Sequence, residues 1–157
     1  MTTGFRTVVG AVIVEHGQAF VIRRSAGRRL FPNCWDVPGG HVEEHETVEV
    51  ALDRELSEET GWRLAGILAR LDEHRWLGDD GVERVEHDFL VGVEGDLENP
   101  RLELDKHPEW RWLGLQDLDV LLEGRRPGDD LTRRIVKTGL EAAARLEHEG
   151  TRTDGRG

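Results

Sequence analysis

Cysteine is almost absent from this sequence of 157 residues, in which Cys34 stands alone. A single thiol excludes an internal disulfide and a cage of cysteine ligands around a metal. No apolar run approaches the roughly 18 residues of a membrane-spanning helix, and the first residues show no basic segment followed by an apolar stretch. We therefore expect a cytoplasmic protein with no secretory signal and no membrane partner.

Basic residues are also scarce, because 21 lysines and arginines face 32 aspartates and glutamates, which leaves a net charge of −11. Non-specific binding to nucleic acid depends on cationic side chains that neutralise phosphates, so we expect no nucleic-acid partner. A protein of this charge that acts on phosphates needs bound cations to do so.

The length fits one domain, which we place at residues 1–150. Residues 151–157 are rich in glycine, threonine and arginine, and we expect them to form a disordered tail. β-branched and amphipathic segments are mixed along the domain, which indicates an α+β fold. The predicted strands are 7–15, 18–24, 64–76, 84–93 and 110–113, the first two forming a hairpin, and the predicted helices are 47–60, 115–123 and 131–148.

Three glutamates at positions i, i+3 and i+4 share one face of the first predicted helix: Glu55, Glu58 and Glu59. Each close pair of like charges destabilises an isolated helix by roughly a few tenths of a kcal/mol. One interpretation is a solvated face on an acidic protein. The other is a magnesium site, since Mg²⁺ takes carboxylate oxygens and water as ligands.

Two other patterns have structural interpretations. The segment from His41 to His45 matches an inverted zinc-protease pattern, which needs both histidines one turn apart on a helix. It follows a Pro-Gly-Gly turn, so we expect a loop and reject zinc proteolysis. Trp76, Trp110 and Trp112 could stack on a nucleobase, but packing in the core or at its rim is the favoured interpretation.

The segment from Gly40 to Trp62 resembles the signature of the Nudix hydrolases, the MutT-like family. That signature is Gly, five residues, Glu, seven residues, Arg-Glu, an aliphatic residue, any residue, Glu-Glu, any residue, Gly and an aliphatic residue. All seven fixed positions match at the right spacing, namely Gly40, Glu46, Arg54, Glu55, Glu58, Glu59 and Gly61. Trp62 replaces the last aliphatic residue, and His45 stands where the family commonly has glycine. If that position needs a positive φ, His45 carries a backbone cost that glycine avoids.

The resemblance implies a Nudix-type α/β/α sandwich with a mixed central sheet, and an enzyme that uses Mg²⁺ or Mn²⁺. The implied metal ligands are Glu55, Glu58, Glu59 and the backbone carbonyl of Gly39. The implied catalytic residues are Glu58, Glu59, Arg54 and Glu103. The implied structural positions are Glu46, which with Arg54 would hold the loop and the helix in place, and Gly40 and Gly61.

Two of the implied positions lie outside the signature. Arg24 ends the second strand, where family members often place a basic group that contacts phosphate. A solvated arginine at a strand end is the alternative. A further carboxylate often comes from the loop before the Glu-Trp strand, and the candidates are Glu98, Glu103, Asp105 and Glu109. We favour Glu103, which lies a short loop before that strand, although a surface acid is the alternative for each.

The implied reaction is hydrolysis of a nucleoside diphosphate linked to another group. ADP-ribose hydrolases of the family often carry a proline shortly after the signature, and dinucleoside polyphosphate hydrolases often carry a nearby tyrosine. This sequence has Leu77-Gly-Asp79 in the first place and no tyrosine at all. By elimination we expect a nucleoside triphosphate, including an oxidised one, that yields a monophosphate and diphosphate.

Three alternatives stay open at this point: ADP-ribose, another nucleotide sugar, and a non-catalytic module that binds a nucleotide. The presence of all three ligand glutamates favours the enzyme over the module. The expected partner is a small-molecule nucleotide, and the sequence leaves a homodimer open.

Overall fold

The computed structural model describes residues 4–154, with side chains described to residue 150. Within that part the strands are β1 (Arg6–Val12), β2 (Val14–Glu15), β3 (Gln18–Arg23), β4 (Trp35–Asp36), β5 (Gly39–His41), β6 (Arg63–Leu77), β7 (Glu83–Glu94) and β8 (Glu109–Leu113). The helices are α1 (Val48–Thr60), a 3₁₀-helix (Leu115–Leu122) and α2 (Leu131–Asp154).

The strands form two sheets. The first is mixed and has the order β5-β1-β7-β6, in which β1 and β7 run parallel and the other pairs run antiparallel. In the second sheet, β3 pairs antiparallel with β2, β4 and β8. The parallel pair joins segments far apart in the sequence, with Arg6 opposite Arg84 and Val12 opposite Leu90.

The predicted strand 7–15 is interrupted at Ile13, which is buried. β1 belongs to the mixed sheet, whereas β2 forms the predicted hairpin with β3, with Val14 opposite Ala19. The sequence does not indicate this break, because β-branched residues on both sides of it suit a strand equally well. The bend at Ile13 passes the chain from one sheet to the other.

The two α-helices pack on opposite faces of the mixed sheet. Strand β7 shows this, because Phe89 and Val91 pack with Leu52 of α1, while Leu90 packs with Val136 of α2. Successive side chains of a strand point to opposite faces, so each face contributes to its own core. The arrangement confirms the predicted α/β/α sandwich with a mixed central sheet.

Helix α1 begins and ends at the residues that the sequence predicts. The hydroxyl of Thr47 accepts a hydrogen bond from the backbone N–H of Val50 at 3.2 Å, which caps the first turn. Gly61 adopts a φ of 76°, and its N–H donates to the carbonyl of Ser57 at 3.1 Å. Glycine enters this left-handed conformation without steric cost, which is why the helix ends there.

The structure differs from the sequence predictions at two further places. Residues 39–41 form a short edge strand, β5, although the sequence predicts a Pro-Gly-Gly turn at 38–40 with a loop after it. Helix α2 continues to Asp154, so four of the seven residues of the predicted tail are helical, and residues 155–157 lie outside the described part. Within the described residues, no helix combines the length and the apolar character needed to cross a membrane.

Candidate functional site

Strand β5 and helix α1 meet where Gly39 and Gly40 face the glutamates of the helix. The backbone N–H of Gly39 donates to Glu59 Oε2 at 2.8 Å. A Cβ at Gly40 would overlap the carboxylate of Glu55, and a Cβ at Gly39 would overlap the carbonyl oxygen of Val9. Both positions therefore need glycine for the backbone to pass this close to the carboxylates and to β1.

Arg54 joins the loop before α1 to the helix. Its Nε and one terminal nitrogen donate to the two carboxylate oxygens of Glu46 at 2.7 and 2.8 Å, and that terminal nitrogen also donates to the carbonyl of His41 at 3.0 Å. The other terminal nitrogen donates to Glu55 at 2.9 Å and approaches Glu58 at 3.5 Å. The hydrogen bond from Arg54 lowers the pKa of Glu46 to about 2, so this pair stays charged at neutral pH.

These residues surround a surface cavity of about 310 Å³, which we call the acidic cavity. It brings together most of the predicted site: Gly39, Gly40, Arg54, Glu55, Glu58, Glu59 and Glu103. Three predicted positions lie outside it. Glu46 lies behind Arg54, Gly61 ends α1, and Arg24 lines an adjoining cleft that also reaches Glu59.

Glu59 is the most buried acid of the acidic cavity, with 6% of its surface exposed. Burial raises the pKa of Glu59 well above its ordinary value, and the neighbouring Glu55 raises it further. Burial also raises the pKa of Glu55, while the hydrogen bond from Arg54 opposes that rise. Among the described residues no salt bridge reaches Glu59. Desolvated carboxylates of like charge are unfavourable unless a cation or a proton neutralises them.

The three predicted metal ligands differ in position. Glu58 is half exposed, with its nearest cation on Arg54. Across residues 4–154, no three His, Cys, Asp or Glu side chains are arranged as a metal-binding group. The carboxylates that lie close together are those of Glu55 and Glu59, and Gly39 contacts Glu59 through its backbone N–H. A pair of carboxylates fits Mg²⁺, which uses one or two protein carboxylates and keeps several waters.

The loop before β8 brings one of the four candidate carboxylates to the site. Glu103 lines the acidic cavity. Glu98 lines a different groove, Asp105 is exposed, and Glu109 forms an ion pair with Arg23 at 3.4 Å. The favoured candidate is therefore the one near the glutamates of α1, and its role as a base stays a prediction.

Basic side chains gather on the other side of Glu59. Arg24 donates its Nε to the carbonyl of Leu30 at 2.7 Å, which holds the loop 25–33. Burial lowers the pKa of Arg24, and the charge of Glu59 opposes that effect. Arg28 lines both the cleft and the acidic cavity, and Lys106 lines the acidic cavity. Arg28 and Lys106 are not among the positions predicted from the sequence, although three arginines within residues 24–29 are a signal for Arg28.

The structure separates the two histidines of the zinc-protease pattern and packs one of the three tryptophans, Trp112, against the core. His41 lies in β5 and His45 in the loop after it, so they do not share a helical turn. His45 has a φ of 73°, which is the positive φ that a glycine would adopt without cost. Trp112 packs against Phe20 and Trp62, with ring centroids 5.2 and 6.2 Å apart.

Three relatives show how widely the similarity extends. An uncharacterised Nudix hydrolase of Nostoc sp. is 54% identical over 56 residues, which cover 35% of this chain and only 33% of that protein. An RNA pyrophosphohydrolase of Gluconobacter oxydans is 32% identical over 133 residues, which cover 74% of this chain and 75% of that protein. The nucleoside triphosphatase NudI of an Enterobacter species is 41% identical over 59 residues, which cover 38% and 42% of the two chains.

The fold and the family model lead to the same assignment. A MutT Nudix hydrolase from Burkholderia pseudomallei superposes with a TM-score of 0.70 at 30% identity, covering 86% of this chain and 98% of that one. The model of the NUDIX domain matches residues 4–135. This match includes both sheets and the whole of α1 with its glutamates. The chain therefore belongs to the Nudix hydrolases, MutT-like enzymes that act on pyrophosphate bonds.

Proposed function

We propose that this protein hydrolyses a nucleoside triphosphate, with Mg²⁺ or Mn²⁺ as cofactor, to a nucleoside monophosphate and diphosphate. The observation that carries the proposal is the pair Glu55 and Glu59, two desolvated carboxylates beside the backbone of Gly39, with no salt bridge to Glu59 among the described residues. The repulsion and desolvation of these two carboxylates destabilise the protein, and no salt bridge to Glu59 among the described residues compensates for them. A bound divalent cation would compensate for them.

The metal would be held by Glu55, Glu58, Glu59 and the carbonyl of Gly39. When bound, it would supply positive charge that stabilises the developing negative charge on the phosphate oxygens. Arg54 positions this group, because it fixes the loop 41–46 and the carboxylate of Glu55 at once. Phosphoryl transfer depends on such positioning and charge stabilisation more than on covalent catalysis.

The chain's other charged groups have separate roles in this proposal. Arg24, Arg28 and Lys106 face the substrate side of Glu59 and would contact the polyphosphate. Glu103 would accept the proton of the attacking water. The oxygen of that water bonds to phosphorus as the bond from phosphorus to the bridging oxygen of the leaving group breaks.

The names of the relatives support a triphosphate over a nucleotide sugar. One relative is named a nucleoside triphosphatase and another an RNA pyrophosphohydrolase, and both names concern a phosphate chain. A 5′-triphosphorylated RNA is thus a second candidate substrate. The net charge of −11 favours the free nucleotide, because an RNA chain adds phosphates beyond the site that the protein surface would repel. Cytoplasmic location and a homodimer stay predictions.

The test is a substrate panel with purified protein and either Mg²⁺ or excess EDTA. We expect anion-exchange chromatography of the products to show nucleoside monophosphate and diphosphate from nucleoside triphosphates with Mg²⁺, little AMP from ADP-ribose, little diphosphate from triphosphorylated RNA, and no product with EDTA. Full turnover in excess EDTA would contradict the metal site. Turnover of ADP-ribose alone, or of RNA alone, would make that compound the substrate in place of the nucleoside triphosphate. Nucleotide binding without any turnover would favour the non-catalytic module.

A further inference from the structure

His41, the last residue of β5, lies where the acidic cavity meets the adjoining cleft. The cleft has a volume of about 140 Å³ and also includes Arg24. Five residues line both the cleft and the acidic cavity: Arg28, Gly39, Gly40, His41 and Glu59. A substrate that extends from the cleft to the glutamates of α1 therefore passes His41.

Arg84 of β7 determines which nitrogen of the His41 ring carries a proton. The Nε–H of Arg84 donates to His41 Nε2 at 3.0 Å. A guanidinium only donates hydrogen bonds, so His41 Nε2 must offer a lone pair. A neutral imidazole has one N–H group, on one of its two nitrogens. The N–H of His41 is therefore at Nδ1.

A buried network holds Arg84 in this position. Its two terminal nitrogens donate to the two carboxylate oxygens of Asp80 at 2.9 and 2.7 Å, and its guanidinium lies 5.0 Å from the centre of the Trp76 ring. Arg84 is 2% exposed. A two-pronged pair between arginine and carboxylate has a defined geometry. The Nε–H of Arg84 therefore keeps its direction, and the His41 ring keeps one orientation and one tautomer.

The Nδ1–H of His41 is open to a ligand. Within the described residues no hydrogen bond occupies Nδ1, and Nδ1 is not one of the buried side-chain atoms that lack a partner. It is therefore accessible from the cavities that His41 lines. A nitrogen that carries a proton has no lone pair for a cation, so Nδ1 serves only an acceptor. The charged acceptors of the proposed substrate are its phosphate oxygens.

We propose that His41 is a substrate-binding residue whose Nδ1–H donates to a phosphate oxygen where the two cavities meet, and that Arg84 is its positioning residue. The inference rests on the proposed function, because it adds a residue that recognises the phosphate chain at the same site. The cations of the site attract any anion, whereas His41 is a neutral donor with a fixed direction. It favours a ligand that places an acceptor at one point.

Two substitutions separate this role from a structural one, because amides can replace the two ring nitrogens individually. His41→Gln keeps an amide oxygen that can accept from Arg84 and loses the donor at Nδ1. His41→Asn keeps an amide N–H near the position of Nδ1 and is too short to reach Arg84. The matched control is His87→Gln, because His87 Nδ1 also lies 3.2 Å from an arginine, Arg70, and lines neither cavity.

The first measurement is isothermal titration calorimetry with Mg²⁺. The ligands are analogues of ATP and GTP in which a CH₂ group replaces the oxygen between the first two phosphates, so they bind without turnover. We expect His41→Gln to bind both about 10-fold more weakly than the wild type, since hydrogen bonds to charged groups are the strong ones. His41→Asn should recover most of this loss. His87→Gln should bind like the wild type, and the Tm of His41→Gln should stay that of the wild type.

The second measurement uses the wild type, so it does not depend on the folding of a variant. Nuclear magnetic resonance of the nitrogen-labelled protein distinguishes a ring nitrogen that carries a proton from one that does not, and the signal lost in His41→Asn identifies His41. We expect a proton on Nδ1, none on Nε2, and a shift of the Nδ1 signal when an analogue binds. A proton on Nε2, or signals that the analogues leave unchanged, would overturn the inference.

The binding data can overturn it as well. Equal affinity of His41→Gln and the wild type would do so, and so would weaker binding by His41→Asn than by His41→Gln, because the contact with Arg84 would then matter instead of the donor. The two proposals fail separately. The expected binding pattern without hydrolysis of any triphosphate would contradict the proposed function alone. Triphosphate hydrolysis with wild-type kcat/KM in His41→Gln would contradict the role of His41 alone.

Discussion

Each glutamate near the end of α1 has its own environment, although the three share one helix face. Glu59 is buried against Gly39, Glu55 is mostly buried beside Arg54, and Glu58 is half exposed. Glu58 and Glu59 lie in the last turn, where the helix dipole disfavours acids. A cation bound by all three is the reason we propose for their presence.

Replacing these glutamates one at a time tests that reason. We expect Glu55→Gln, Glu58→Gln and Glu59→Gln each to lower kcat by about 10²-fold or more with a much smaller change in KM, because each removes charge that stabilises the transition state. Glu103→Gln should cost less. The control is Glu49→Gln, an exposed glutamate in the first turn of the same helix, which should retain full kcat. The measurement is steady-state kinetics at saturating Mg²⁺. An equal loss of kcat in Glu49→Gln and Glu58→Gln would refute the proposed set of metal ligands.

His45 has a strained backbone conformation that substitution by glycine would relieve. Its φ of 73° lies in the left-handed region, which costs a residue with a Cβ about 1 kcal/mol. We expect His45→Gly to raise the Tm by about 2–4 °C in scanning calorimetry. The control is Glu44→Gly at the exposed neighbour, where φ is not positive and added chain entropy should lower the Tm. A lower Tm for His45→Gly would mean that the imidazole makes a contact worth more than the strain.

At the scale of elements, one guanidinium joins the loop before α1 to the helix, and the N–H of Gly39 adds a separate contact between β5 and α1. Arg54 bonds to the loop through Glu46 and His41, and to the helix through Glu55. A lysine carries the same charge but cannot reach these groups with a planar fork. The loop and the helix would then be held by separate, weaker contacts.

We therefore expect Arg54→Lys to destabilise the protein by about 1–3 kcal/mol and to raise the Mg²⁺ concentration needed for half-maximal activity. The matched control is Arg63→Lys, since Arg63 also makes a two-pronged contact with α1, through Asp53, but is exposed. An exposed pair contributes under about 1 kcal/mol. Urea unfolding and Mg²⁺ titrations of both variants provide the comparison, and equal effects in the two would show that Arg54 does not hold the site.

Local signals in the sequence account for α1 better than for the strands. The cap at Thr47 and the stop at Gly61 depend on residues within four positions, so both could be predicted. The break at Ile13 could not, because it is decided by pairing of β1 with β7 and of β2 with β3. Strand β5 likewise exists because β1 offers an edge to residues 39–41. Pairing between distant segments has no local signature.

At the scale of the whole molecule, the site combines a signature that is visible in the sequence with groups that the fold brings from elsewhere. The spacing within α1 is enough to predict a cluster of Glu55, Glu58 and Glu59. The loop before β8 supplies Glu103 and Lys106, and the loop after β3 supplies Arg28. Arg28 and Lys106 look like ordinary surface charges in the sequence. The sequence favours Glu103 by its distance from the Glu-Trp strand, and the fold places Glu103 in the acidic cavity and Glu98 in a different groove.

The whole molecule also contains one buried histidine, His107, and one partly buried histidine, His41, that should make its stability depend on pH. Burial, with nearby arginines, lowers the pKa of both His41 and His107 from 6.5 to about 4. Above pH 6.5 each is neutral in the folded and unfolded chains, so the folded state keeps its full stability. Between pH 6.5 and about 4 the unfolded chain binds protons that the folded chain does not. Stability is therefore lost as the pH falls, with a slope of up to about 1.4 kcal/mol per pH unit for each histidine.

The raised pKa values of Glu59 and Asp88 change the dependence of stability on pH in the opposite direction, so the curve of the wild type alone does not isolate the histidines. A variant of His107 isolates the contribution of one histidine. His107 is 3% exposed and faces Arg24, Arg28, Lys106 and Asp105. We expect the free energy of unfolding of metal-free His107→Gln, measured with urea from pH 7 to pH 4.5, to fall less steeply than that of the wild type. The control His16→Gln changes an exposed histidine and should keep the wild-type slope. If His107→Gln also keeps it, the buried imidazole accepts its proton as readily in the folded chain as in the unfolded one.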